Sequence, residues 1–150
     1  MRYALEPARQ PDVVALIDAL DAYQRPLYPP ESHHGIDLDA LSRPEVVFAV
    51  ARDDDGRAVG CGAVVIESAF GELKRMYVDP AVRGHGVARG LLALLEREAL
   101  ARGCTTLCLE TGVLQGEAIT LYERSGFVRC APFGGYAEDR LSVFMRKALA

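Results

Sequence analysis

Glu72-Leu-Lys-Arg-Met-Tyr-Val-Asp79-Pro-Ala-Val-Arg83-Gly-His-Gly86-Val-Ala-Arg-Gly-Leu-Leu-Ala-Leu-Leu95 is the stretch around which the rest of the chain is arranged. It reads as strand, tight turn and helix. Leu73–Val78 is rich in apolar and aromatic residues and stops at Asp79-Pro80, a turn signal. Apolar residues then recur at Val87, Leu91, Leu94 and Leu95, a helical spacing. Between strand and helix lies Arg83-Gly84-His85-Gly86-Val87-Ala88. A helix start exposes backbone N–H groups without partners inside the helix, and the dipole adds partial positive charge there. Glycine lets an anion come close to the backbone, and arginine adds a fixed charge suited to phosphate. These residues predict a pyrophosphate cradle at a helix N-terminus.

Working outward, 150 residues suit one domain, 1–150. Half of the residues are hydrophobic and a quarter are charged, so the chain is globular and can bury a sizeable core. The formal net charge is −4 and the pI about 5.4. That balance argues against a nucleic-acid binder, which carries a basic face. No apolar run suggests a membrane span, and no signal-peptide pattern opens the chain, so a cytoplasmic location is expected. The sequence leaves the oligomeric state open, a homodimer included. Cys61, Cys104, Cys108 and Cys130 lie in apolar segments without Cys-x-x-Cys pairing and read as small buried thiols. None of His33, His34 and His85 has metal-ligand spacing with them, so no metal is expected.

Along the chain, Arg2–Glu6 reads as a strand. Pro11 and Asp12 open a helix with Val13, Val14, Leu16, Ile17 and Leu20 on its apolar face. Arg25–Gly35 is a proline-rich loop, and Asp37–Leu41 a short helix. Val46–Ala51 and Arg57–Glu67 form a hairpin around Asp55-Gly56, with Gly60 and Gly62 marking a bulge or bend. The long helix runs to Arg102, with Gly103 at its C-cap. Thr105–Glu110 is a strand, Glu117–Ser125 a helix, and Phe127–Cys130 and Leu141–Arg146 the last strands. This order points to a mixed α/β sheet with helices on its faces.

Two blocks carry a family resemblance. Arg83, Gly86 and Ala88 resemble the Arg/Gln-x-x-Gly-x-Gly/Ala motif of the GNAT superfamily of N-acetyltransferases. Ala118, Leu121, Tyr122, Gly126 and Phe127 resemble its later Asn-x-x-Ala-x-x-Leu-Tyr-x-x-x-Gly-Phe motif, with Gln115 in place of the asparagine. The element order matches over essentially the full length. The segments Ala131–Tyr136 and Ser142–Lys147 are similar to those of a subgroup of small bacterial members. The resemblance implies the GNAT acyl-CoA N-acyltransferase fold, a central mixed sheet flanked by helices and split between strands 4 and 5. It implies acetyl-CoA as cosubstrate, in that split.

Acetyl transfer to an amine needs a neutral amine, although alkyl amines are mostly protonated at neutral pH. It needs donors for the thioester oxygen and a proton for the leaving thiolate. By resemblance, Tyr122 is the general acid; its residue type alone equally fits a core aromatic on one helix face with Ile119. Glu72 is the expected base, acting through water, with Glu110 or bulk water as alternatives. Met76, Tyr77 and Val78 are expected to offer backbone groups to the pantetheine arm, which then mimics an added strand. Gln115 is expected to bond that arm, and Arg89 either reaches a phosphate or sits on the solvated helix face. Tyr28, His33 and His34 on the early loop and Tyr136 on the late loop are the acceptor-side residues, against a reading as mere surface polarity.

Two other functions fit parts of the sequence. Gly84-His85-Gly86-Val87-Ala88-Arg89 approaches a nicotinamide-dinucleotide fingerprint, but Arg89 stands where its third glycine is wanted. A non-catalytic acyl-CoA sensor is the other, and the retention of Tyr122 counts against it. The chain therefore reads as an N-acetyltransferase of a small or amino-acid-like amine.

Overall fold

Val46–Arg52 shows how the fold is layered. Val47, Ala49 and Ala51 point to one face of the sheet and Phe48 and Val50 to the other, and all five are buried. Both faces are therefore covered. The computed structural model describes residues 1–33 and 35–149. Its elements are β1 (Arg2–Leu5), α1 (Pro11–Gln24), α2 (Leu38–Leu41), β2 (Val46–Arg52), β3 (Ala58–Ile66), β4 (Phe70–Val78), α3 (Val87–Ala101), β5 (Thr106–Gly112), α4 (Gly116–Arg124), β6 (Val128–Arg129) and β7 (Ser142–Ala148). The seven strands form one sheet in the order β1-β2-β3-β4-β5-β7-β6.

On one face α1 lays Val13, Leu16 and Ile17 against Phe48, Val50, Cys61 and Ala63. On the other, α3 buries Leu91, Leu92 and Leu95 against Val47, Val59, Val64 and Leu73. Each of those leucines is almost fully enclosed and contributes about 1.5–3 kcal/mol. Gly103 at φ 93° ends α3, and the Cys104 N–H returns to the Ala99 carbonyl at 3.0 Å. Cys61, Cys104 and Cys108 are buried free thiols; burial pushes Cys61 up to about 12 and Cys108 up to about 11.

The decisive feature is where the sheet comes apart. β4 and β5 run parallel and pair only from Phe70↔Thr106 to Leu73↔Leu109. Both strands continue past that point, to Val78 and Gly112, without pairing to each other. The β3–β4 register jumps from Ala63↔Lys74 to Cys61↔Tyr77, so Gly62 faces both Arg75 and Met76. That is a bulge, as the glycines of β3 led one to expect, and a bulge bends its strand and increases twist. Arg75 sits at φ 59°, a conformation that costs a non-glycine residue about 1–2 kcal/mol. Its guanidinium holds it there: Nη1 donates to Asp21 Oδ1 at 2.5 Å, and Nε and Nη2 donate to the Ile36 carbonyl at 3.1 and 2.9 Å. The bulge and this clamp turn β4 away from β5 and pin the early loop beside the opening.

The strand ends differ modestly from sequence expectation. β5 extends through Thr111 and Gly112 because both pair with β7. β6 shrinks to two residues because Phe127 turns into the core, while Val128 at the sheet edge is 57% exposed.

Candidate active site

The first part of the site is built from backbone. A short turn at Pro80–Val82, capped by Asp79 on the Ala81 N–H at 2.9 Å, brings the chain to α3. Gly84 and Gly86 then adopt φ 85° and 79°, which L-residues with side chains rarely take. Gly86 is the N-cap of α3 and supplies no side-chain acceptor, so the first N–H groups of a 15-residue helix face outward. A cavity there is lined by Gly84, Gly86, Ala88, Arg83, Arg89 and Arg124, among others. Arg83 is steadied by donating from Nε to the Val78 carbonyl at 3.0 Å, with its guanidinium 5.7 Å from the Tyr77 ring centre. His85 is exposed and its side chain is not part of this lining; only its backbone belongs to the turn.

From this cradle a groove follows the diverging end of β4. Met76, Tyr77 and Val78 form one wall, and Gly116, Ala118, Leu121 and Tyr122 of α4 the other. Tyr23 and Leu114, both exposed apolar residues, stand at its rim. At its inner end the groove meets a second cavity, and Met76, Gln115, Ala118 and Tyr122 line both. Tyr122 is 7% exposed and packs edge-on against Phe127 with ring centres 5.6 Å apart. Among the described residues no hydrogen bond engages its hydroxyl. Burial pushes the phenol far above its ordinary value, so it remains a proton donor.

The second cavity lies inside the split, between the ends of β4 and β5. Its polar lining includes Glu72, Lys74, Glu110 and Tyr136. Glu72, on the paired part of β4, is only 9% exposed. Its Oε2 accepts from the Tyr136 hydroxyl at 2.5 Å and lies 3.2 Å from Lys74 Nζ. Glu110 accepts from the Ser142 hydroxyl at 2.7 Å.

The sequence model of the acetyltransferase (GNAT) family matches residues 14–127. The chain belongs to that family. It is 49% identical over 148 residues to the IAA acetyltransferase of Azospirillum brasilense, covering 97% of this chain and 96% of that protein. The crystal structure of an acyl-CoA N-acyltransferase from Klebsiella pneumoniae superposes with a TM-score of 0.85 at 40% identity, covering 99% of this chain and 97% of that one. An aminoglycoside 6′-N-acetyltransferase complexed with coenzyme A shares the fold, with a TM-score of 0.75 at 18% identity over 100% and 98% of the two chains. The protein is an acetyl-CoA-dependent N-acetyltransferase acting on a small amine. The split of its sheet, the groove and the glycine cradle fit that cosubstrate.

Within this acetyltransferase the residues singled out by sequence fall into two groups. Those of the cradle and groove lie together, His85 contributing backbone alone. The acceptor-side group is more tightly tied than expected. Tyr28 is buried, accepts from the Leu114 N–H at 3.2 Å and donates to Gln115 Oε1 at 3.4 Å. Its hydroxyl end packs against Gly112, where an added Cβ would come within 1.7 Å of the oxygen. His33 Nε2 is bonded to the Tyr28 carbonyl at 2.8 Å. His34 lies outside the described residues. Gln115 Oε1 also accepts from the Gly112 N–H at 3.1 Å, so its carbonyl end closes β5 and only the amide nitrogen is left for the groove. Tyr136 lines the second cavity with its hydroxyl bonded to Glu72 and Lys74. Sequence reasoning missed Lys74, Arg75 and Arg124. Lys74 stands two residues from Glu72, hence on the same strand face, a signal that was available. Arg124 had none, because only the packing of α4 beside α3 brings it to the cradle.

Proposed function

We propose that acetyl-CoA lies with its pyrophosphate on the N–H groups of Gly84–Ala88, aided by Arg83, Arg89 and Arg124. Its pantetheine arm runs along Met76–Val78, and Gln115 meets the arm from α4. The amine enters the second cavity, at whose wall Glu72 stands. Bound there, acetyl-CoA supplies the acetyl group as a thioester with a thiolate leaving group.

Glu72 takes the proton that an alkyl ammonium must lose before it can attack, directly or through a water. Tyr122 delivers a proton where the thiolate departs. Such proton transfers contribute about 10²–10⁴-fold each to a rate. Holding amine and thioester in one channel contributes further, since the reaction within the complex is effectively unimolecular. The observation that carries this reading is the junction: groove and cavity meet at a buried tyrosine whose hydroxyl has no bond among the described residues. Two carboxylates, Glu72 and Glu110, among the cavity's polar groups support a cationic acceptor and not a nucleic acid. Tyr28 and His33 shape the cavity wall from the early loop.

The test is an acceptor screen reading CoA release. It covers aliphatic amines, amino acids, polyamines and aminoglycosides, and also IAA, which the name of the Azospirillum relative carries. Release with a primary amine and none with hydroxyl acceptors is expected. Tight acetyl-CoA binding without release on any amine would favour a sensor instead.

A further inference from the structure

We infer that Tyr136 and Lys74 are positioning residues for Glu72, fixing one carboxylate oxygen so that the other is presented to the amine; this rests on the reading of Glu72 as the base. Both groups converge on Oε2: the Tyr136 hydroxyl donates at 2.5 Å and Lys74 Nζ lies at 3.2 Å. Lys74 also donates to the Tyr136 hydroxyl at 2.9 Å, so the three groups close a ring. Among the described residues no hydrogen bond reaches Oε1. Turning the carboxylate would leave a half-buried phenol without its acceptor beside a carboxylate that is itself only 9% exposed.

The tyrosine sits on a loop, yet its position is set by the sheet. Its ring packs edge-on against Phe133 at 5.2 Å and against Phe144 of β7 at 5.5 Å. Phe133 in turn meets Phe70, the first residue of β4, at 6.0 Å. Four aromatic rings thus anchor the late loop on the two strands that flank Glu72 and Glu110. The ring of Tyr136 serves the fold, and the hydroxyl serves Glu72.

Among the described residues, the following groups face Glu72. Lys74 comes from β4, Glu110 and the Cys108 thiol from β5, Tyr136 from the late loop, and His33 from the early loop. Tyr122 of α4 lines the same cavity, and Val65 of β3, its register partner, is uncharged. Arg75 is turned away to Asp21. Burial keeps Tyr122, Tyr136 and Cys108 protonated.

The test uses Tyr136→Phe, which keeps the ring, and Lys74→Met. With an amine from the screen, Tyr136→Phe is expected to lower kcat about tenfold and leave acceptor KM within about twofold. Lys74→Met is expected to lose in the same direction. A readout free of catalysis is the proton spectrum of the unmodified protein. A downfield phenol proton absent in Tyr136→Phe should vanish or move upfield in Glu72→Gln. A rise in acceptor KM at constant kcat would make Tyr136 an acceptor contact and overturn the inference. So would an unchanged kcat, or a phenol proton indifferent to Glu72→Gln. If Glu72→Gln itself retains full kcat, the base reading fails, and the phenol proton still decides whether Tyr136 holds the carboxylate.

Discussion

The two sides of the split sheet are made of different material. On the cofactor side as proposed, the groups offered to the ligand are the backbone of one continuous turn, Gly84–Ala88, and of one strand end, Met76–Val78. Arginines only rim them. On the acceptor side, the aimed groups are side chains from β4, β5, the early loop and the late loop, and they bond to one another. A backbone site is defined by φ angles and tolerates exchange of its rim. A side-chain site is defined by contacts, and one lost hydroxyl is felt. This contrast can be attacked by mutation.

The largest effect is expected on the acceptor side. Glu72→Gln should lower the rate at neutral pH by about 10³-fold. It should lose less as pH rises toward about 10.4, where an alkyl amine sheds its own proton. A pH–rate profile of both proteins checks this. A constant ratio across the alkaline range would remove Glu72 as base and leave Glu110 or water.

On the cofactor side, Gly86→Glu should weaken acetyl-CoA binding about 100-fold by calorimetry. The left-handed backbone at φ 79° disfavours any side chain, and the carboxylate would repel the pyrophosphate. Unchanged affinity in a folded variant would break the backbone reading of the cradle.

At the junction, Tyr122→Phe should cut kcat some tens of fold, roughly, with acetyl-CoA affinity unchanged. Because the hydroxyl has no bond among the described residues, thermal stability should hold. Equal kcat would return Tyr122 to a core aromatic.

Arg75 tests how the acceptor wall is held. Arg75→Ala should cost about 2 kcal/mol by denaturant unfolding, since it leaves the Ile36 carbonyl and Asp21 without their partner. Arg75→Gly should recover about 1 kcal/mol of that, because glycine accepts φ 59°. Equal losses would deny the backbone strain.

The smallest effect is at the cradle rim. Arg124→Ala should weaken acetyl-CoA binding about threefold and leave kcat alone, as one exposed charge among three is screened. A loss comparable to Gly86→Glu would mean that side chains, not backbone, carry the anion site.

Sequence alone determined what depends on near neighbours. The unbroken apolar run Val46–Ala51 and the spacing of Leu91, Leu94 and Leu95 mark a strand buried on both faces and one buried helix face, because strand and helix periods are local properties. Gly84 and Gly86 announce the cradle because the φ they adopt is a choice made within a single residue. The doublet of motifs at Arg83 and Tyr122 placed both sides of the groove. Only tertiary structure decided the rest. Tyr136 is 64 residues from Glu72, and an aromatic cluster shared by two strands brings them together. Tyr28 reads as a free ligand group in the sequence, yet its hydroxyl end packs against Gly112 and bonds Leu114 and Gln115, between β5 and α4. The bend that opens the sheet rests on Arg75, whose left-handed backbone has no signature in its residue type and is held by partners 54 and 39 residues away. Contacts at that range depend on how finished elements dock, and no local pattern records it.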